Sequence, residues 1–384
     1  MKKIVRITTV PLSLEKLLEK QLRFMSNYYE VIAVSSDGER LRKVGIAEGV
    51  RTHEVGLTRK ITPLQDLKAV WQLYRFLKKE RPFIVHSHTP KAGIVGMLAA
   101  KLAGVPHRLH TVAGLPLLET TGIKRTILTA VERLTYSCAT KVYPNSKGLQ
   151  QIILQEKFCS ASKLNVIGEG SSNGIDTEHF SRKNISKAEI ESLKAKLNIT
   201  QDDFVFVFVG RIVGDKGINE LVNAFDKISS ETSNVKLLLV GPYEEDLDPL
   251  SELTLKRIRE NENILSLGYQ QEVRLFLAVS HCLVFPSYRE GFPNVVMQAG
   301  AMELPGIVTD INGCNEIISH EKNGLIVPVK SVEALYLALH RILSDKELYL
   351  RLQQHAREAI TSRFEQNVIW EALLTEYQKL EHVS

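Results

Sequence analysis

The stretch FVFVFVGRIVGDKGINELVNAF (residues 204–225) reads as a buried strand ending at Gly210, then a short loop, then a helix. Its unbroken apolar run is that of a strand with no face left to water. The loop carries Arg211 and Lys216, and Gly217 stands just before the helix. Two fixed cations and the free N–H groups of a helix start converge on one spot, which suits a diphosphate. Charge-assisted bonds of this kind are worth about 1.5–3 kcal/mol each. Taken alone, the segment also fits a surface loop with two solvated cations.

Working outward, strand-like runs alternate with helix-length amphipathic segments from end to end, the pattern of parallel sheets wrapped by helices. The first half offers IVRIT (4–8), YEVIAVS (29–35), FIVHSH (83–88), RLHTV (108–112), KVYPNS (141–146) and KLNVIG (163–168). Helical stretches run from Leu12 to Met25, Leu64 to Lys79, Ala92 to Ala103 and Arg125 to Ser137. The density of Gly, Ser, Asn and Asp in GEGSSNGIDTEHF (168–180) ends this series. A second follows: FVFVFVG, VKLLLVG (235–241), ILSLG (264–268), HCLVFPS (281–287), GIVTD (306–310) and GLIVPV (324–329). The expected organisation is a first doubly wound α/β domain over residues 1–170, a junction at 171–185, a second domain over 186–365, and a terminal helix at 366–384. In open parallel sheets ligands bind outside the carboxyl ends of the strands, so the loops after strands hold the candidates.

Length and composition agree with two folded domains: 384 residues, 44% hydrophobic and 24% charged, with no biased tract. Cys138, Cys159, Cys282 and Cys314 lie far apart, with neither a C-x-x-C pair nor a disulfide framework. Together with the lack of any apolar run near the roughly 20 residues that span a bilayer, this makes the cytoplasm the expected location. The net charge of +5 suits phosphate-bearing ligands or an anionic membrane surface. Basic residues without interleaved aromatics argue against nucleic acid.

A second candidate is HCLVFPSYREGFPNVVMQAGAMELP (281–305). A strand delivers Pro286 and Ser287, Glu290 sits in the turn, and GFPN opens a helix from about Val295. Gly291 lets a ligand approach the backbone, the helix start favours negative charge, and Glu290 can accept from sugar hydroxyls. The other reading of Glu290 is a helix-capping acid.

With these two segments about 80 residues apart and in this order, the chain resembles the family 4 retaining glycosyltransferases of the GT-B fold. That group includes sugar transferases of capsule, O-antigen and exopolysaccharide pathways. The resemblance runs through VHSHTPKAG (85–93), KLAGVP (101–106), NGIDTEHF (173–180), VGRIVGDKG (209–217), LLLVG (237–241), LSLGY (265–269), PSYREGFPNVVMQA (286–299) and EIISHEKNGLIVP (316–328). It implies two Rossmann-like domains facing a central cleft, an acceptor-binding one and a nucleotide-sugar-binding one, with the terminal helix crossing back to the first.

By the same resemblance Arg211 and Lys216 grip the donor diphosphate next to Gly210, and Glu290 holds hydroxyls of the donor sugar. Backbone groups of Gly291, Phe292, Pro293, Asn294 and Val295 contact sugar and phosphates, and the turn Leu267, Gly268, Tyr269 receives the base. The donor expected is a UDP-sugar, with no cofactor and no metal. The family's second acid falls eight residues after Glu290, on the ribose; here it is Gln298, whose amide still hydrogen-bonds. Many relatives also carry a histidine where RLHTVAGLP (108–116) has Ala113, with His110 and His88 as the available substitutes.

The acceptor, a lipid-linked saccharide by preference, is expected on the first domain around Thr9 to Ser13, His88 to Lys91 and Gly114 to Leu118. His88 reads equally as an acceptor or phosphate contact and as a packed structural histidine. GIKRTILTAVERL (122–134) suits an anionic membrane, with Lys124, Arg125 and Arg133 beside Ile127, Leu128 and Val131, and reads as well as an ordinary packed helix. Asp246-Leu247-Asp248 spells a metal-binding D-x-D but lies in an acidic stretch. A UDP-sugar 2-epimerase and a non-catalytic subunit of a polysaccharide assembly complex are the alternative functions.

Overall fold

The computed structural model describes residues 1–382 apart from 59–61, 116, 118–119 and 245–247. It divides into two compact units, Met1–Gly174 with Asn367–Ser384, and Ile175–Gln366.

In the first unit the described strands are β1 (Lys3–Ile7), β2 (Glu30–Ser35), β3 (Arg51–Glu54), β4 (Ile84–Ser87), β5 (His107–Val112) and β6 (Lys141–Pro144). They stand in the order β3-β2-β1-β4-β5-β6, with every neighbouring pair parallel. Side chains alternate across a strand, so β1 serves two cores. Val5 and Ile7 pack with Ala69, Leu73 and Val95 from the helices Pro63–Glu80 and Pro90–Ala103. Ile4 faces the other way, with Leu14, Leu22, Leu373 and Tyr377. The last two belong to the C-terminal helix, Gln366–Glu381, so this unit is closed by a segment distant in sequence.

The second unit holds β7 (Phe204–Val209), β8 (Val235–Val240), β9 (Ile264–Ser266), β10 (Cys282–Phe285), β11 (Gly306–Thr309) and β12 (Gly324–Val327). Their order, β12-β11-β10-β7-β8-β9, repeats the first sheet when each is counted from its own first strand, and again all pairs are parallel. Phe206, Val207 and Phe208 of β7 are fully buried, as the apolar run required of a central strand. Each unit is therefore doubly wound, with its topological switch point between its first and fourth strands, β1 and β4 in one and β7 and β10 in the other.

Two expectations need correction. KLNVIG is not a strand: a 3₁₀ turn at Ala161–Lys163 precedes it, and Leu164 makes only an isolated bridge to Val142. The sixth strand is instead β3, RTHE, an edge strand whose half-exposed polar residues give no apolar signal. The helix read over Leu12 to Met25 is two, Pro11–Leu17 and Gln21–Ser26, broken where Lys20 adopts φ 62°.

Candidate active site

The loop after β7 and the loop after β10 meet at the switch point of the second unit. Gly217 makes this meeting possible, because its φ is 71° and a Cβ there would stand 2.1 Å from the Pro286 carbonyl oxygen. The contact continues along the loops: Tyr288 N–H donates to the Asp215 carbonyl at 2.9 Å, and Arg289 Nη2 reaches Asp215 Oδ2 at 2.7 Å. From opposite sides of this junction the Lys216 ammonium and the Glu290 carboxylate form a hydrogen-bonded ion pair, with side chains only 14% and 16% exposed. Lys216 is not solvated, and Glu290 spends its carboxylate on Lys216 rather than capping the helix Asn294–Ala301, whose N-cap, Pro293, makes no side-chain capping bond.

Arg211 lies at the same strand end but pairs elsewhere, Nη1 to Glu244 Oε2 at 2.9 Å, with the two side chains 40% and 35% exposed. Such a surface pair contributes about 0–1 kcal/mol and is easily exchanged for a more highly charged partner. Gly210 follows β7 directly, with its N–H donating to the Val240 carbonyl. Leu267 donates to Leu239, the Gly268 carbonyl accepts from Gly241, and Tyr269 stands well exposed beyond them. Gln298 is half-buried on the helix Asn294–Ala301, with no side-chain hydrogen bond among the described residues.

Two residues frame this site in roles that the sequence did not suggest for them. Asp248 Oδ2 accepts the Asp215 N–H at 2.5 Å and its carbonyl accepts from Gly214 at 3.1 Å, so it braces the turn that carries Lys216. Asp246 and Leu247, the rest of the D-x-D, lie outside the described residues. Asn312 donates to the carbonyls of Glu290 and Gly291, holding the other side. An acid two residues after another, and an asparagine in a strand-following loop, are too common to signal these roles.

In the first unit the strand ends gather the residues proposed for the acceptor. Thr9 Oγ1 and Thr89 Oγ1 lie 2.7 Å apart, tying the end of β1 to the helix start after β4. His86 is buried between Tyr377 OH at 2.6 Å and Thr111 Oγ1 at 2.8 Å. His110 is bonded to Ser87 Oγ at 2.8 Å under Gly93, and burial pushes it down to about 4. Both are thus packed histidines. Ala113 and Gly114 are half-buried, with open space beside Gly114, while Pro116 and Leu118 lie outside the described residues. Burial, and then the charge of His86 and Arg6, holds His88 well below the usual histidine range.

Residues 189–359 match the family model described as Glycosyl transferases group 1, and residues 25–170 the one described as Glycosyl transferase 4-like domain. The chain is 34% identical to the capsular polysaccharide biosynthesis glycosyltransferase CapM of Staphylococcus aureus, over 98% of this chain and 96% of that one. This chain is a family 4 glycosyltransferase. Another relative of the glycosyltransferase is the UDP-Gal:alpha-D-GlcNAc-diphosphoundecaprenol alpha-1,3-galactosyltransferase of Escherichia coli, 31% identical over 80% of this chain and 78% of that protein. The fold is shared with Anabaena Alr3699/HepE, solved in complex with UDP and glucose, at a TM-score of 0.81 and 17% identity, covering 99% and 100% of the two chains. The enzyme is therefore a GT-B hexosyltransferase that draws on a nucleotide-sugar donor, which decides against the epimerase and the non-catalytic subunit.

Proposed function

We propose that this glycosyltransferase moves a hexose from a UDP-sugar to a saccharide carried on a lipid diphosphate, with retention at the anomeric carbon and without a metal. The ion pair between Lys216 and Glu290 at the switch point of the second unit carries the reading. The bond that breaks joins the anomeric carbon to the β-phosphate oxygen, and negative charge grows on that oxygen as it leaves. Lys216 and Arg211 neutralise it, with the helix start at Asn294 adding its dipole. Glu290, turning from Lys216 to the sugar, accepts from donor hydroxyls. The acceptor hydroxyl attacks from the departing side and its proton passes to the leaving phosphate oxygen, so the products are the glycoside and UDP. The lipid diphosphate is supported by the E. coli relative's acceptor and, more distantly, by the Campylobacter jejuni transferase named for a diphospho-undecaprenol substrate, 26% identical.

Replacing Lys216 by Ala removes a charge-assisted bond to the leaving group, and the turnover of donor falls by about 10- to 100-fold. The melting temperature changes little, and UDP still raises it. Near-normal turnover by a folded Lys216→Ala enzyme would remove the assignment.

The place of work proposed is the inner face of an anionic membrane. The helix Gly122–Cys138 leaves Ile123 81% and Ile127 50% exposed beside Lys124 and Arg125, the composition of an interfacial helix. Leu64, Leu67 and Trp71 are exposed on the helix Pro63–Glu80 of the same unit. Among the described residues no helix is long and apolar enough to cross a membrane. Vesicles rich in anionic lipid should sediment the enzyme, less so at high salt, and the double variant Ile123→Asp, Ile127→Asp should stay in the supernatant. Absence of any salt-sensitive binding by the unaltered enzyme would count against the placement.

A further inference from the structure

The switch point of the first unit, between β1 and β4, is the place that Lys216 and Glu290 occupy in the second. Here it is filled by Arg6 and His88. The Arg6 side chain is fully buried, yet among the described residues it bonds to no carboxylate: Nε donates to His88 Nε2 at 3.0 Å, Nη2 donates to Gln21 Oε1, and Nη1 finds no acceptor. Burying an unpaired cation costs several kcal/mol, so a fold that keeps one has a use for its charge. Because His88 Nε2 accepts, the neutral ring carries its proton on Nδ1, and Nδ1 is itself buried and unbonded among the described residues.

His88, Asn145, Ser171 and Ser172 line a small cavity with about 10 Å³ of space for the centre of a water-sized atom. That is room for about one such atom. Asn145 Oδ1 and Ser172 Oγ are also buried without partners among the described residues. Ser171 Oγ already accepts from the Asn173 and Gly174 N–H groups, at 3.4 and 3.0 Å, which leaves its own proton to give. The Asn145 amide can turn its NH₂ inward. With the amide so turned, donors outnumber acceptors around the cavity and a cation lies behind it, so a negatively charged oxygen meets both deficits.

We propose that the strand ends of the first unit form an oxyanion seat, with His88 Nδ1–H as donor, Arg6 as the positioning charge behind it, and a phosphate oxygen of the acceptor as the ligand. The proposal rests on the reading that the acceptor carries a diphosphate. Gln21 holds Arg6 in place through its own bonds to Ser172 O and Asn173 Oδ1, both 3.0 Å, and Trp370 Nε1 donates to the same Asn173 oxygen at 2.7 Å. The seat and the C-terminal helix are thus one polar network.

The test is ¹⁵N NMR of the histidine rings in the full-length enzyme, with UDP present in saturating amount so that the donor loops are occupied. The probes are geranyl diphosphate, inorganic pyrophosphate and geraniol, and His88→Gln assigns the resonance. Geranyl diphosphate should move the His88 Nδ1 signal and geraniol should not. Arg6→Met, checked for folding by its melt, should move the Nε2 signal without any probe and raise the half-saturating geranyl diphosphate concentration tenfold or more. If Arg6→Met does not fold, the same rise in His88→Ala serves. A His88 signal indifferent to both diphosphates, or moved equally by geraniol, would overturn the seat; a response to pyrophosphate alone would overturn the acceptor assignment. The UDP-induced rise in melting temperature reads the donor loops separately, so failure of the seat leaves that part of the function standing.

Discussion

Lys216 and Arg211 share a loop but not a condition. Lys216 is largely withdrawn from water and held by Glu290, whereas Arg211 is 40% exposed on a pair with Glu244 that contributes little. Arrival of a diphosphate therefore asks little of Arg211 and more of Lys216, whose partner must be satisfied by sugar hydroxyls instead. Gln298 offers a neutral amide where the family places an acid. A carboxylate there accepts from ribose hydroxyls by charge-assisted bonds stronger by about 1 kcal/mol, so Gln298→Glu should lower the donor KM about fivefold. An unchanged or higher donor KM would show that position 298 does not reach the ribose. The residues on the donor loops were legible because each follows a strand and breaks an apolar run. Arg6 gave the same signal, a charge inside IVRIT, but nothing in the sequence told that its partner would be a histidine 82 residues away.

At the scale of elements, the central strands were legible and the edges were not. The central strand β7 announces itself by six apolar residues; β3 has none, and is held by its sheet neighbour and by polar and ring contacts, Arg51 to Glu30 and Glu80 and His53 stacked on Phe76. The junction of the loops after β7 and β10 was likewise invisible, since it depends on a missing Cβ. Gly217→Ala must push the Pro286 carbonyl from 2.1 Å and hold alanine at φ 71°, which costs about 1–3 kcal/mol. Denaturant melts should show that loss, together with a drop in turnover, because the same shift separates Lys216 from Glu290; full activity would mean the loops meet without help from this glycine. The strands β4 and β5 carry another consequence. Their His86 and His110, and His88 just beyond β4, are held neutral by burial, with His110 near 4 against about 6.5 in an unfolded chain. The unfolded state binds the extra protons, so stability is complete above pH 6.5 and falls as the pH drops from there toward 4, by about 1.4 kcal/mol per unit for each such histidine. Melting temperatures measured from pH 7.5 to 5 should decline below 6.5, and His110→Asn should decline less steeply.

At the scale of the whole molecule, two units of the same strand order differ in how the chain closes them. The second is continuous, Ile175–Gln366, while the first needs Asn367 onward to cover the sheet face that holds Ile4, Ile84 and Leu109. Ending the chain at residue 366 strips Leu373, Leu374 and Tyr377, all less than 5% exposed, from that face. At about 2–5 kcal/mol for each large buried side chain, their loss consumes most of the 5–15 kcal/mol by which a domain is stable. The truncated protein should therefore show one surviving thermal transition with UDP still raising it, and an exposed, dye-binding first unit. The same discontinuity sets an order during synthesis. The ribosome makes about 190 residues of the second unit, over roughly 10–40 s, between the last strand of the first and the helix that covers it. Throughout that interval an oily sheet face waits uncovered in the cell, and chaperones have longer to find this half of the enzyme than the half made after it.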